Sequence, residues 1–454
     1  MKKLVILIAL ITGSFHTYSQ TQKIWDETEA QKKERMAWWT DARFGMFIHW
    51  GLYALPARHE WVKNYEHMTN EEYQKYFDNF NPDLFDPHAW ARMAKEAGMK
   101  YAVITSKHHE GFCLFDSKYT DYKATNTPYG KDIIRQWVEA FREEGLKVGF
   151  YYSLIDWHNP DYTIDKFHPL HPATDPEYNQ LNQGRDMNKY REYIKNQVKE
   201  LLTNYGKIDI LWLDFSFPGE HGKGRTDWDS FHLLQMVRQL QPGIIVNDRS
   251  DLQDVEGGWD FTTPEQVKVP EWPEYNGKRI PWETCQTFSG SWGYYRDEYT
   301  WKSPAQLIEL LVESVSKGGN LLLNVGPTAR GLFDERAQKS LKSIGDWMSV
   351  NSRSIYGCTQ APADYAVPAN CLLTYNPDTR RLYVHLLDYP LENLRMPGYK
   401  CKIKYAQFLH DASEIRMEEP DQDLKGSSGG NDVILKLPVA KPDVVIPVIE
   451  LILK

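Results

Sequence analysis

The stretch KIDILWLDFSFPG (residues 207–219) sets the fold and poses a problem. Ile208, Ile210, Leu211 and Leu213 are apolar and β-favouring, so the segment reads as a buried strand. Asp214 closes that strand, directly behind Trp212 and Leu213. A carboxylate at the end of an apolar strand costs free energy unless something there uses its charge. Working outward, similar short apolar runs recur: FGMFIHW (44–50), YAVIT (101–105), KVGFYYS (147–153), GIIVN (243–247), WETCQ (282–286) and NLLLNVG (320–326).

Helical patterns lie between several of these runs. DPHAWARMAKEAG begins with Asp86 as N-cap and stops at Gly98, and DIIRQWVEAFREEG repeats the arrangement up to Gly145. Strand, helix ending in Gly, then strand is βαβ architecture with a parallel sheet. Seven strands in about 300 residues predict an α/β fold of the (β/α)8, TIM-like barrel type over residues 21–352. An eighth strand cannot be placed, so the barrel is expected to be irregular. The Pro-rich segment VKVPEWPEYNGKRIPW reads as a loop packed over something. After about Ile355 the helical period vanishes. CLLTYNPDTRRLYVHLLDYP, KCKIKYAQFLHD, NDVILKLP and DVVIPVIELILK read as strands, with KGSSGGND as a turn, which predicts a C-terminal all-β sandwich over 353–454.

The composition suits a globular chain of 454 residues with one large and one smaller domain. The net charge of −9 and the lack of a basic run argue against a nucleic-acid partner. Aromatics reach 13%, which fits either stacking on sugar faces or an aromatic core. Residues 1–20, MKKLVILIALITGSFHTYSQ, read as a secretory signal peptide, too short in its apolar run to span a bilayer. The mature protein is therefore expected to be exported, periplasmic or secreted, without membrane insertion. Five scattered Cys form no CxxC pair, and the odd number leaves at least one thiol free.

The strand ends carry residues foreign to a core: His49 and Trp50; His108 and His109; Tyr151, Tyr152 and Ser153; Asp214; Asn247, Asp248 and Arg249; Asn324. In a parallel barrel these carboxyl ends share one rim, where such folds carry their sites. His108 and His109 are adjacent, so on extended backbone they are expected to point apart, which disfavours joint chelation of a metal. HExxH, Cys clusters, calcium-type loops and the phosphate-loop pattern are all absent. Carboxylate chemistry remains. Glycoside hydrolysis needs two carboxyl groups, and Asp214 suits the nucleophile or base, kept ionised by nearby cations such as His and Arg249. The second carboxyl could be Asp260, Glu265, Glu271, Glu274 or Glu283.

RFGMFIHWGLYALP, HEW, TSKHHEGFCLFDS, GFYYSLIDW, LWLDF, NDR, SWGYYRD and GGNLLLNVGP together resemble glycoside hydrolase family 29, the retaining α-L-fucosidases, from about residue 25 to the end. The resemblance implies an irregular barrel with a C-terminal β-sandwich. It also implies hydrolysis of terminal α-L-fucose from fucosylated glycans through a covalent fucosyl-enzyme, without metal or cofactor. It assigns Asp214 as nucleophile. It assigns His49, Glu60, Trp61, His108, His109, Tyr152 (or Tyr151, one position away), Trp212, Arg249 and Trp292 to the sugar. The acid/base is matched to Glu265, with Glu283 as the alternative. Val62 stands where many broad-specificity relatives have Tyr, so the loop carrying it and the Pro-rich 268–281 segment become candidates for reading the aglycone. The competing functions are a retaining glycosidase for another fucose-configured sugar such as α-L-galactose, and a non-catalytic carbohydrate-binding protein.

Overall fold

A computed structural model describes residues 23–419 and 430–454. The signal-peptide reading of residues 1–20 and most of the KGSSGGND turn lie outside the described residues.

Seven strands form one parallel sheet: β1 (Phe44–Ile48), β2 (Tyr101–Lys107), β3 (Lys147–Ser153), β4 (Ile210–Asp214), β5 (Ile245–Val246), β8 (Glu283–Thr287) and β9 (Asn320–Val325). Their order is β5-β4-β3-β2-β1-β9-β8. Two residue pairs between β5 and β8, β6 (Glu274–Tyr275) and β7 (Lys278–Arg279), make only a small hairpin. The gap between β5 and β8 is filled by residues 260–265. Asn247 bridges Phe261, Thr262 bridges Trp282, and Glu265 bridges Cys285, all in parallel sense. The segment WDFTTPEQ is thus the missing stave that closes the barrel. Pro264 has no N–H to give, so the segment pairs one residue at a time and reads as loop.

The helices start and stop as their caps dictate. Asp86 accepts from the Ala89 N–H to open the helix Pro87–Glu96, and Asp132 does the same for Ile133–Glu143. Side chains alternate along each strand. Met46, Ile48, Phe150, Tyr152, Leu211 and Leu213 face outward into the main core beneath the helices. Phe47, Tyr101, Val103, Tyr151, Ile210, Trp212, Cys285 and Leu322 face inward and fill the barrel. Met36, Trp39 and Ala42 of the helix Glu29–Ala42 join that inner cluster and plug the amino-terminal end. The Pro-rich segment lies towards the same end: Trp272 packs on Gly318, two residues ahead of β9.

The C-terminal region adds β10 (Thr359–Gln360), β11 (Cys371–Asn376), β12 (Arg381–Leu386), β13 (Asn393–Met396), β14 (Ile403–Phe408), β15 (Arg416–Glu418), β16 (Val433–Lys436) and β17 (Val448–Leu453). They form antiparallel sheets, β10-β11-β12-β17-β14 and β13-β16-β15, around a separate apolar cluster. Arg43 donates to the Cys358 carbonyl at 2.7 Å and Trp347 to the Ile446 carbonyl at 3.0 Å, tying this region to the barrel. All five cysteines are free.

Candidate active site

The carboxyl ends of the staves surround a pocket of about 360 Å³. Asp214, last in β4, sits in it. The next residue turns sharply: Phe215 has φ 75°, the left-handed region, and its N–H reaches back to Asp214 Oδ1 at 2.9 Å. A bulky residue there is strained. Arg249 donates to the same oxygen at 2.9 Å, and Tyr151 donates to Oδ2 at 2.7 Å. Both carboxylate oxygens are therefore held by donors, which answers the cost of burying the charge.

Arg249 does more than pair with Asp214. Its other terminal nitrogen contacts Glu265 Oε2 at 2.7 Å, and Thr263 takes its Nε at 2.9 Å. Burial opposes its charge, but Asp214 and Glu265 more than compensate and strengthen it. One guanidinium thus spans both carboxyl groups. Asp214 is buried, whereas the Glu265 side chain is 41% exposed at the mouth.

The histidines are neutral acceptors, not cations. Asn324 Nδ2 donates to the Trp292 carbonyl at 2.7 Å, so its Oδ1 must accept from His49 Nδ1–H at 2.6 Å. That leaves His49 Nε2 as a free lone pair. Ser153 donates to the Ile155 carbonyl at 2.8 Å, so its oxygen accepts His109 Nδ1–H at 2.7 Å, with the same consequence. Burial drives His49 down to about 4 and pushes His108 and His109 well below the usual range. Glu60 is buried and its Oε2 accepts the N–H groups of Trp292 (3.1 Å) and Gly293 (2.9 Å). His59 Nδ1, 3.3 Å from Oε1, already accepts Trp61 N–H at 3.1 Å, so Oε1 is open to a hydroxyl.

Aromatic rings make the remaining walls. Trp61 packs against His109, Trp157 and Phe215, while Phe47, Trp212 and Trp292 surround His49 and Tyr151. Neutral acceptors, three carboxylates, one cation and an apolar wall match a compact polyhydroxylated ligand with an apolar edge.

The family model described as "Alpha-L-fucosidase" matches residues 10–353. The chain belongs to the α-L-fucosidase family. Among solved structures, α-L-fucosidase isoenzyme 1 from Paenibacillus thiaminolyticus superposes with a TM-score of 0.86 at 44% identity, over 93% of this chain and 99% of that one. A family 29 α-L-fucosidase from Bacteroides thetaiotaomicron, trapped as a covalent intermediate with 2-fluoro-fucosyl fluoride in a Glu-to-Gln mutant, gives a TM-score of 0.78. Its identity is 30%, over 96% of this chain and 98% of that one. Human tissue α-L-fucosidase is 31% identical, covering 70% of this chain and 69% of its own.

Within this fucosidase fold, every sugar-site residue expected from sequence lines the pocket except Tyr152. Tyr152 is buried on the outer face of β3 and donates to Gln197 at 2.8 Å, so Tyr151 takes its place. His108 and His109 do not point apart. The backbone leaves β2 at Lys107 and turns, with Gly111 N–H closing on the His108 carbonyl at 3.0 Å, which brings the two rings to 3.9 Å. Glu283 lies inside the barrel below the pocket and does not line it. Asp260 is structural: it pairs with Arg35 (2.7 Å) and Arg238 (2.8 Å) and accepts Val246 N–H. Burial alone would raise its pKa, but those arginines hold it well below the carboxylate range. Val62 itself is buried and the Pro-rich segment lies near the opposite end of the barrel, whereas His59, Trp61 and Tyr65 of the loop carrying Val62 line the mouth of the site beside Glu265. No lining residue comes from the C-terminal sheets. Phe47, Phe215 and Cys285 line the pocket unanticipated. Phe47 and Cys285 were legible by parity, as inward neighbours of recognised strand residues.

Proposed function

We propose that this protein is an exo-acting retaining α-L-fucosidase that removes terminal α-L-fucose from fucosylated glycans in two displacements. The barrel at 21–352 carries the reaction and the β-region at 353–454 supports it. Asp214 attacks the anomeric carbon and forms a fucosyl-enzyme. Glu265 protonates the departing oxygen, then deprotonates the water that releases fucose. His49 and His109 offer lone pairs, and Glu60 a free oxygen, to ring hydroxyls. The Trp/Phe wall receives the C5 methyl. The observation that carries this reading is the single Arg249 guanidinium spanning Asp214 and Glu265. Carboxyls of a retaining pair stand roughly 5–5.5 Å apart, within reach of one guanidinium. The trapped covalent intermediate of the Bacteroides relative supports the same chemistry. Export is part of this reading: residues 1–20 have the composition of a secretory leader, and plasma α-L-fucosidases are among the relatives.

Rescue kinetics test the assignment. Glu265→Ala on 4-nitrophenyl α-L-fucoside is expected to be slow and to regain rate with azide, an anion that attacks the fucosyl-enzyme in place of water without needing a base and releases Asp214 as fucosyl azide forms. Azide rescue confined to Glu283→Ala would reverse the acid/base assignment.

A further inference from the structure

Beneath the pocket floor lies a buried polar cluster that the reaction does not use. Glu283, first in β8, is fully buried inside the barrel, and Tyr101 Oη donates to its Oε2. Among the described residues its Oε1 makes no hydrogen bond of ordinary geometry. Two indole N–H groups, of Trp39 and Trp212, are also buried without one. An unpaired acceptor and two unpaired donors in one apolar enclosure are complementary, because each alone carries a desolvation penalty. All three donors favour the ionised carboxyl, although burial outweighs them and pushes Glu283 up to about 7.

One of these indoles forms the floor of the site. Trp212 stacks on Tyr151 with centroids 5.7 Å apart and carries the Arg249 guanidinium at 4.6 Å. Tyr151 and Arg249 are the side chains that hold Asp214, and Arg249 also holds Glu265. The other indole, Trp39, belongs to the plug helix and does not line the pocket.

We propose that Glu283 is a positioning residue: its carboxyl anchors the Trp212 indole N–H from below and so fixes the platform on which Arg249, Asp214 and Glu265 are aligned. It does not touch sugar, because Trp212 and Cys285 lie above it. Its activity readout rests on the fucosidase reading. Loss of the anchor lets the platform tilt, and a misplacement of reacting groups by about 1 Å costs about a hundredfold in rate.

The test uses the full mature chain, wild type, Glu283→Gln and Glu283→Leu. The first readout is kcat/KM on 4-nitrophenyl α-L-fucoside. The second is the Trp212 indole ¹⁵N–¹H resonance, assigned with Trp212→Phe. Glu283→Leu is expected to lose about ten- to a hundredfold in kcat/KM while circular dichroism matches wild type. Glu283→Gln, which keeps an acceptor, is expected to recover to within about threefold. The Trp212 resonance is expected to shift in Glu283→Leu, and azide to rescue neither variant. Folded Glu283→Leu within about twofold of wild type overturns the proposal, as does azide rescue of either variant or an unmoved Trp212 resonance. If Glu283→Leu does not fold, the resonance in Glu283→Gln decides: a shift supports the anchor and no shift overturns it. Inactive wild type would sink the fucosidase reading, while the resonance would still test the anchor.

Discussion

Replacing Tyr151 and, separately, Tyr152 by Phe tests the inward-outward assignment of β3 with one atom removed at each position. Tyr151 Oη donates to Asp214 Oδ2 at 2.7 Å, and among the described residues no other donor holds that oxygen. Tyr152 Oη donates to Gln197 at 2.8 Å beneath the helices. A hydrogen bond to a charged group is worth about 1.5–3 kcal/mol, and about 1.4 kcal/mol is a decade in rate. Tyr151→Phe should therefore lower kcat/KM on 4-nitrophenyl α-L-fucoside by about ten- to a hundredfold, because Asp214 loses the bond that fixes its second oxygen. Tyr152→Phe removes a neutral pair worth about 0.5–1.5 kcal/mol of stability and should leave kcat/KM within about twofold. The assay is steady-state kinetics with a thermal melt on each variant. A Tyr152→Phe rate loss equal to or larger than that of Tyr151→Phe, in folded protein, would refute the assignment.

Two further perturbations follow from groups outside the pocket. Asp260→Asn breaks a buried pair with Arg35 and Arg238, and removing one partner of such a pair costs about 3–5 kcal/mol. Urea unfolding should register that loss, while the folded fraction keeps near-normal activity; a selective loss of activity would restore Asp260 as an acid candidate. His385 is buried and donates to Thr374 at 2.9 Å, and burial drives it from 6.5 to about 3. Between those values the unfolded chain binds the proton and the fold does not, so stability falls as pH drops below 6.5. At pH 5 the loss from this one group is about 2 kcal/mol. Urea unfolding of wild type and His385→Gln at pH 7 and pH 5 should show that much less pH dependence in the variant, and identical dependence would contradict it.

Most of the barrel was legible because apolar runs and Gly-terminated helices repeat with clear caps. The eighth stave was not, because Pro264 and the polar residues around it leave only single bridges to β5 and β8. The rim was legible because polar residues at the ends of apolar strands are costly unless used. Choosing between Tyr151 and Tyr152 needed only parity: Tyr151 is level with Trp212 and Ser153 with Asp214, so the inward set was fixed once Asp214 faced the pocket. The mutual approach of His108 and His109 was not legible, because it depends on where β2 stops being extended. The neutrality of the histidines depends on burial and on the Asn324 and Ser153 acceptors, which only the assembled barrel brings within reach.

The central claim is that Asp214 forms the covalent bond to the sugar. The most direct measurement is intact and peptide mass spectrometry after incubation with 2-deoxy-2-fluoro-fucosyl fluoride, which slows release of the intermediate. One fluorofucosyl group per chain is expected, mapped to Asp214 in the peptide containing LWLDF. An adduct on any other residue, or none in protein that turns over 4-nitrophenyl α-L-fucoside, would contradict it.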